Sequence, residues 1–127
     1  MKYDIEQYLS PHFRLKEFLH NGSLDEVDQG IISALKRLAH ELETIRHQLG
    51  DRAIIITSGF RTKMHNLAIG GAPKSQHLYG NAADIEVAGM MPRQVQEALK
   101  HWKGGLGSYP AWTHVDLGIR RRWSEVD

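Results

Sequence analysis

The chain has 127 residues, 41% apolar and 24% charged, which suits one soluble globular domain over 1–127 with one core. A formal net charge of +1 supplies no global field for nucleic acid, and the absence of cysteine excludes disulfides and thiolate ligands, so any metal must be held by His, Asp or Glu. No segment approaches the ~20 apolar residues of a membrane span, and the stretch 1–10, with Asp4 and Glu6, carries no secretory signal, so the expectation is a monomer made in the cytoplasm, with no nucleic-acid partner and no membrane insertion.

The first predicted element is a short helical turn over Pro11–Leu19, with Phe13 and Phe18 packing inward. From about Leu24 to Leu49, Ile31, Leu35, Leu38, Leu42, Ile45 and Leu49 recur at three- and four-residue steps, which predicts a long amphipathic helix. Ser23 or Asp25 fits its start and Gly50 its stop. His40 and His47 fall on its solvent side. The β-branched run Ala53–Ser58 predicts a buried strand. A turn at Gly59-Phe60-Arg61 leads into a short helix over Thr62–Ile69, which Gly70-Gly71-Ala72-Pro73 breaks.

Ala82–Val87 predicts a second strand. Pro92, with Val95, Ala98, Leu99 and Trp102 on one face, predicts a helix ended by Gly104-Gly105. Leu106–Tyr109 and Trp112–Leu117 predict two more strands joined at Pro110, and the basic cluster Arg120-Arg121-Arg122 with Trp123 closes the domain. This order implies an α+β fold with a small, mainly antiparallel sheet backed by helices.

His77 and Asp84 lie seven positions apart with Gly80 and small residues between them, and His114 follows thirty positions later. Two imidazoles and one carboxylate form a three-ligand zinc set whose fourth position goes to water in catalytic sites, which points to a hydrolase. Strand alternation puts Asp84 and Glu86 on one face of 82–87, with Ala83, Ile85 and Val87 on the other. It likewise puts His114 with Asp116. Two adjacent strands then present Asp84 and His114 to one point, which His77 reaches from the preceding loop.

Ser75–Asp84 resembles the S-x-H-x-x-G-x-A-x-D signature of zinc D-Ala-D-Ala carboxypeptidases and related peptidoglycan peptidases, a group with the hedgehog/DD-peptidase fold. Ser58-Gly59-Phe60-Arg61 resembles the S-G-Y-R segment preceding that signature, and Trp112-Thr113-His114 resembles the second zinc-binding segment. Pro11–Phe18, His114–Asp116 and Arg121–Trp123 are similar to elements of a small single-domain branch found in bacteria and phages.

The resemblance implies zinc as cofactor, His77, Asp84 and His114 as ligands, and Arg61 orienting the substrate. Ser75, Gln76 and Tyr109, with Tyr79 as a further choice, would contact a peptidoglycan stem or cross-link peptide. Many members carry an acid three residues before the last zinc histidine; here that residue is Ala111. Asp116 is either the general base or a partner that orients an imidazole, and Glu86 is a weaker choice. The implied activity is zinc-dependent peptide hydrolysis in the cell wall, as carboxypeptidase or endopeptidase. With no secretory signal in 1–10, the expected setting is a phage or prophage endolysin released through a holin-type pore, with a host enzyme as the alternative. The competing reading, favoured by Ala111, is a non-catalytic zinc-stabilised wall- or protein-binding module.

Overall fold

The computed structural model describes residues 3–19 and 26–125. Seven short strands and three helices follow one another as β1 (Tyr8–Ser10), β2 (Phe13–Arg14), α1 (Gln29–Gln48), β3 (Ile54–Ser58), α2 (Lys63–Ala68), β4 (Ala82–Val87), α3 (Pro92–Ala98), β5 (Gly105–Ser108), β6 (Thr113–Asp116) and β7 (Arg121–Ser124). Short 3-10 turns cover Leu15–Phe18 and Gln76–Tyr79.

β1 and β2 form a small antiparallel hairpin, and the other five strands form one sheet in the order β3-β4-β6-β5-β7. The β3–β4, β4–β6 and β5–β6 pairs are antiparallel, and β7 joins β5 in parallel. The fold is therefore α+β with a mainly antiparallel sheet, as the element order predicts.

Several local expectations need correction. The segment 11–19 is half strand and half 3-10 turn, although Phe13 and Phe18 are buried as expected. α1 begins at Gln29, where the Asp28 carboxylate accepts a hydrogen bond from the Ile31 amide at 2.9 Å and satisfies one free donor of the first turn. Leu24 and the cap choices Ser23 and Asp25 lie outside the described residues. β3 is buried on one face only, since Ile55 is 57% exposed. α3 stops at Ala98, which is itself exposed.

The apolar stripe of α1 (Leu35, Leu38, Leu42, Ile45) joins Ile54, Ile56, Ala83, Ile85, Val87, Leu106 and Val115 of the sheet, and Val95 and Leu99 around α3, in one core. Alternation along each strand then turns the residues between these to the opposite face. One row of lateral neighbours crosses all five strands there: Asp84, His114, Gly107 and Trp123, with Ser58, which shares the parity of Ile54 and Ile56, brought into it by the register shift between Ile56 and Ser58. The loop carrying His77 turns at Gly80, beside Ile31 and Ala34 of α1, with a left-handed φ of 72° that would strain any side chain there.

Candidate metal centre

β4 and β6 place Asp84 directly opposite His114. The 3-10 turn after Ser75, whose hydroxyl accepts from the His77 amide, brings His77 over the same point. Nε2 of His77 lies 3.2 Å and Nδ1 of His114 lies 3.0 Å from Oδ1 of Asp84. The three donor atoms fall within 4.8 Å of one another, and all three residues are buried. Donors held at about 2.0–2.2 Å around a tetrahedral zinc sit roughly 3.3–3.6 Å apart, so the cluster has nearly the required spacing.

The outer nitrogens decide what the inner ones offer. Nδ1 of His77 is 2.7 Å from the Gly59 carbonyl, which only accepts, so that nitrogen carries a proton. Nε2 of His114 is 2.7 Å from Oδ2 of Asp116, which fixes the proton there. When neutral, each ring therefore aims a lone pair at the Asp84 carboxylate, and three electron-pair donors at this range need positive charge among them. Protons on the imidazoles supply it in one way and a divalent cation in another. The donor set, two imidazoles and a carboxylate with oriented outer nitrogens, fits zinc.

The pKa shifts describe the first of these sources of charge, with protons shared between the imidazoles and the Asp84 carboxylate. Burial raises the proton affinity of Asp84, but hydrogen bonds with His114 and His77 outweigh it and hold the carboxyl well below the usual range. Burial pushes His114 down, while its bonds to Asp116 and Asp84 carry it above the ordinary value. Burial also raises Asp116, and His114 with the Gly118 and Gly105 amides brings it below the ordinary range.

Arg61 pairs with the outer oxygen of Asp84 at 3.3 Å and donates to Ser58 Oγ at 3.2 Å and Asn66 Oδ1 at 3.3 Å. Burial lowers its pKa against the pull of Asp84.

A cleft of about 1070 Å³ opens over the centre, lined by Arg61, Ser75, Gln76, His77, Asp84, Tyr109, Trp112, His114 and Trp123 among others. The expected contacts Arg61, Ser75, Gln76 and Tyr109 thus share one cleft with the three candidate ligands. Trp112 and Trp123 line it too, each half-buried. Tyr79 and Glu86 are exposed and outside the lining.

Asp116 is fully buried and sits on the far side of the His114 ring. Its Oδ1 accepts from the Gly105 and Gly118 amides at 3.0 and 2.9 Å, so both oxygens are engaged.

Sequence reasoning did not single out four contributors. Gly59 supplies the carbonyl that orients His77, and Asn66, 4% exposed, ties Arg61 to the Ala72 carbonyl. His65 and Glu125 add ionisable groups to the cleft lining. Only Gly59 carried a signal, as part of the segment before Arg61.

A family model described as Peptidase M15 matches residues 11–116. The zinc D-Ala-D-Ala carboxypeptidase of Streptomyces albus G is 38% identical over 90 residues, which is 66% of this chain and 35% of that protein. The peptidoglycan L,D-endopeptidase MepK of Escherichia coli K12 is 29% identical over 110 residues, 80% of this chain and 57% of that protein. The chain thus spans about a third of the first relative's length and somewhat over half of the second's.

Proposed function

Because this chain belongs to the peptidase M15 family, we propose that it is a zinc metallopeptidase that hydrolyses a peptide bond in peptidoglycan stem or cross-link peptides. The observation that carries this reading is the convergence of His77 Nε2, Asp84 Oδ1 and His114 Nδ1 beneath an open cleft. Both relatives named above are peptidases, one called a zinc carboxypeptidase and the other a peptidoglycan endopeptidase, which supports the metal and the substrate class.

In this reading His77, Asp84 and His114 hold the ion. Zinc at that position supplies a Lewis acid for the scissile carbonyl and lowers the pKa of water to about 7. Arg61 donates to Ser58, Asn66 and the outer oxygen of Asp84 through its three nitrogens and lines the cleft, where its two remaining Nη protons would meet a carbonyl or terminal carboxylate of the substrate. Ser75, Gln76 and Tyr109 line the same cleft and contact the peptide there. Asp116 acts as a positioning residue rather than a base: it fixes the His114 tautomer from behind the ring. The site of action is the cell wall. No described helix is long and apolar enough to cross a membrane. An endolysin freed by a holin-type partner is the proposed setting, supported by the sequence resemblance alone.

A second reading, a zinc-stabilised wall-binding module without turnover, is favoured by Ala111 together with the engagement of both Asp116 oxygens. Incubation of the zinc-loaded chain with purified peptidoglycan, followed by mass analysis of the muropeptides, separates the two. New amine ends support the peptidase, and their position names the bond. Unchanged muropeptides with cosedimentation on sacculi support the binder.

A further inference from the structure

We propose that Trp123 is a positioning residue of the metal centre, with β7 serving as a brace that sets the angle of the His114 imidazole; this rests on the zinc reading above. The two candidate histidines are anchored differently. His77 is 2% exposed, with the Gly59 carbonyl behind it. His114 stands on a strand, and its lateral neighbour on β5 is Gly107, which has no side chain to support the ring. Its two nitrogens meet Asp84 and Asp116 in the plane of the ring, and in-plane bonds do not by themselves fix the tilt of an imidazole.

Trp123 occupies the space that Gly107 leaves. It is the next residue in the cross-sheet row. A Cβ on Gly107 would fall within 2.5–2.7 Å of three indole atoms, so the indole lies directly over the glycine. From there it reaches His114, with ring centroids 4.9 Å apart and planes tilted by 54°. The same imidazole meets His77 on another side at 5.1 Å.

The indole is itself held. Its N–H donates to the Tyr109 hydroxyl at 3.0 Å, and Tyr109 stacks on Trp112 at 4.7 Å. The Arg121 guanidinium lies 4.9 Å from the indole ring, and its Nη2 reaches Oδ2 of Asp116 at 3.5 Å. β7 therefore touches His114 twice, through Trp123 directly and through Arg121 by way of Asp116. This gives the terminal pair Arg121 and Trp123 a task in a strand with little burial of its own. Groups that orient a metal ligand commonly change affinity by about 10–100-fold when removed.

The test is equilibrium zinc affinity by chelator competition on the full chain, with the visible spectrum of the cobalt-substituted protein as a geometric readout. Trp123→Leu is expected to bind zinc about tenfold more weakly and to shift the cobalt bands, with the far-UV circular dichroism of the parent. Trp123→Phe keeps a ring over Gly107 and is expected to recover most of the affinity. Gly107→Ala displaces the indole without removing it and is expected to reproduce the loss, which covers the case of a Leu variant that does not fold. Parent-like affinity and cobalt spectrum in Trp123→Leu or Gly107→Ala overturn the positioning role while leaving the zinc reading intact. A parent chain that takes up no zinc overturns both.

Discussion

Asp84 and His114 are direct cross-strand partners, and Oδ1 of the one lies 3.0 Å from Nδ1 of the other. Two of the three candidate metal ligands are thus built into the register of the sheet, and the third, His77, comes from the 3-10 turn Gln76–Tyr79. Two ligands on paired strands move little relative to one another, which suits a site needing a fixed donor spacing.

Replacing Asp116 by asparagine tests how that register is tuned. The new side chain still accepts from the Gly105 and Gly118 amides with its oxygen, but its NH2 then faces Nε2 of His114. Two donors cannot meet, so the proton moves to Nδ1, the nitrogen meant for the ion. Zinc affinity is expected to fall by about 10–100-fold. Chelator competition measures the loss, and nitrogen NMR of the imidazole reads the tautomer. Parent-like affinity in Asp116→Asn removes the orienting role.

Zinc binding is expected to weaken as pH falls. His114 is held above its ordinary value of 6.5, so its protonation competes with the ion already near neutral pH. Asp84, held below the usual carboxylate range, stays ionised throughout this window. Calorimetry at pH 6 in buffers of different ionisation enthalpy should count about one or more protons released per zinc. Release of none contradicts the assignment of His114 as a ligand.

Arg61→Lys should retain zinc and lose turnover. An ammonium cannot bridge Ser58, Asn66 and Asp84 as the guanidinium does, and it offers the substrate a point charge in place of a planar fork. A fall of about 100-fold in kcat/KM is expected, the scale of losing one aligned donor at a reacting group. Kinetics within twofold of the parent, at equal zinc content, rule out a part in catalysis for Arg61.

Away from the site, Glu43 ties the β1–β2 hairpin to α1. It accepts from Ser10 Oγ at 2.6 Å and the His12 amide at 2.7 Å, and its Oε1 meets His12 Nδ1 at 2.6 Å. Burial raises its pKa, but these bonds prevail and bring it below its ordinary 4.5. A depressed carboxyl stabilises the fold at pH above the unfolded value and loses that contribution as pH falls through the folded one. Glu43→Gln should therefore cost about 1 kcal/mol near pH 7, and the gap from the parent should shrink in acid. Thermal melts of both proteins at several pH values show this; a gap that widens in acid contradicts it.

Much of this organisation is legible in the chain itself. The period of α1, the alternation in Ala82–Val87 and the faces of His114 and Asp116 follow from residue type and spacing. Other parts are not. β7 is Arg-Arg-Trp-Ser, with no β-branched residue, and it becomes a strand by pairing with β5. The β1–β2 strands are too short to show a period. The roles open to Asp116 are separated only by the side of the imidazole on which it lies, a matter of packing. The Ser58–Asp84–His114–Gly107–Trp123 row depends on four strand registers that no single segment encodes.

Zinc titration of the metal-stripped chain tests the central claim most directly. One equivalent is expected to bind per chain, and none in His77→Ala or His114→Ala, with the circular dichroism of the parent preserved in both. A parent chain that takes up no zinc, or variants that still bind it with parent affinity, would contradict a centre made of His77, Asp84 and His114.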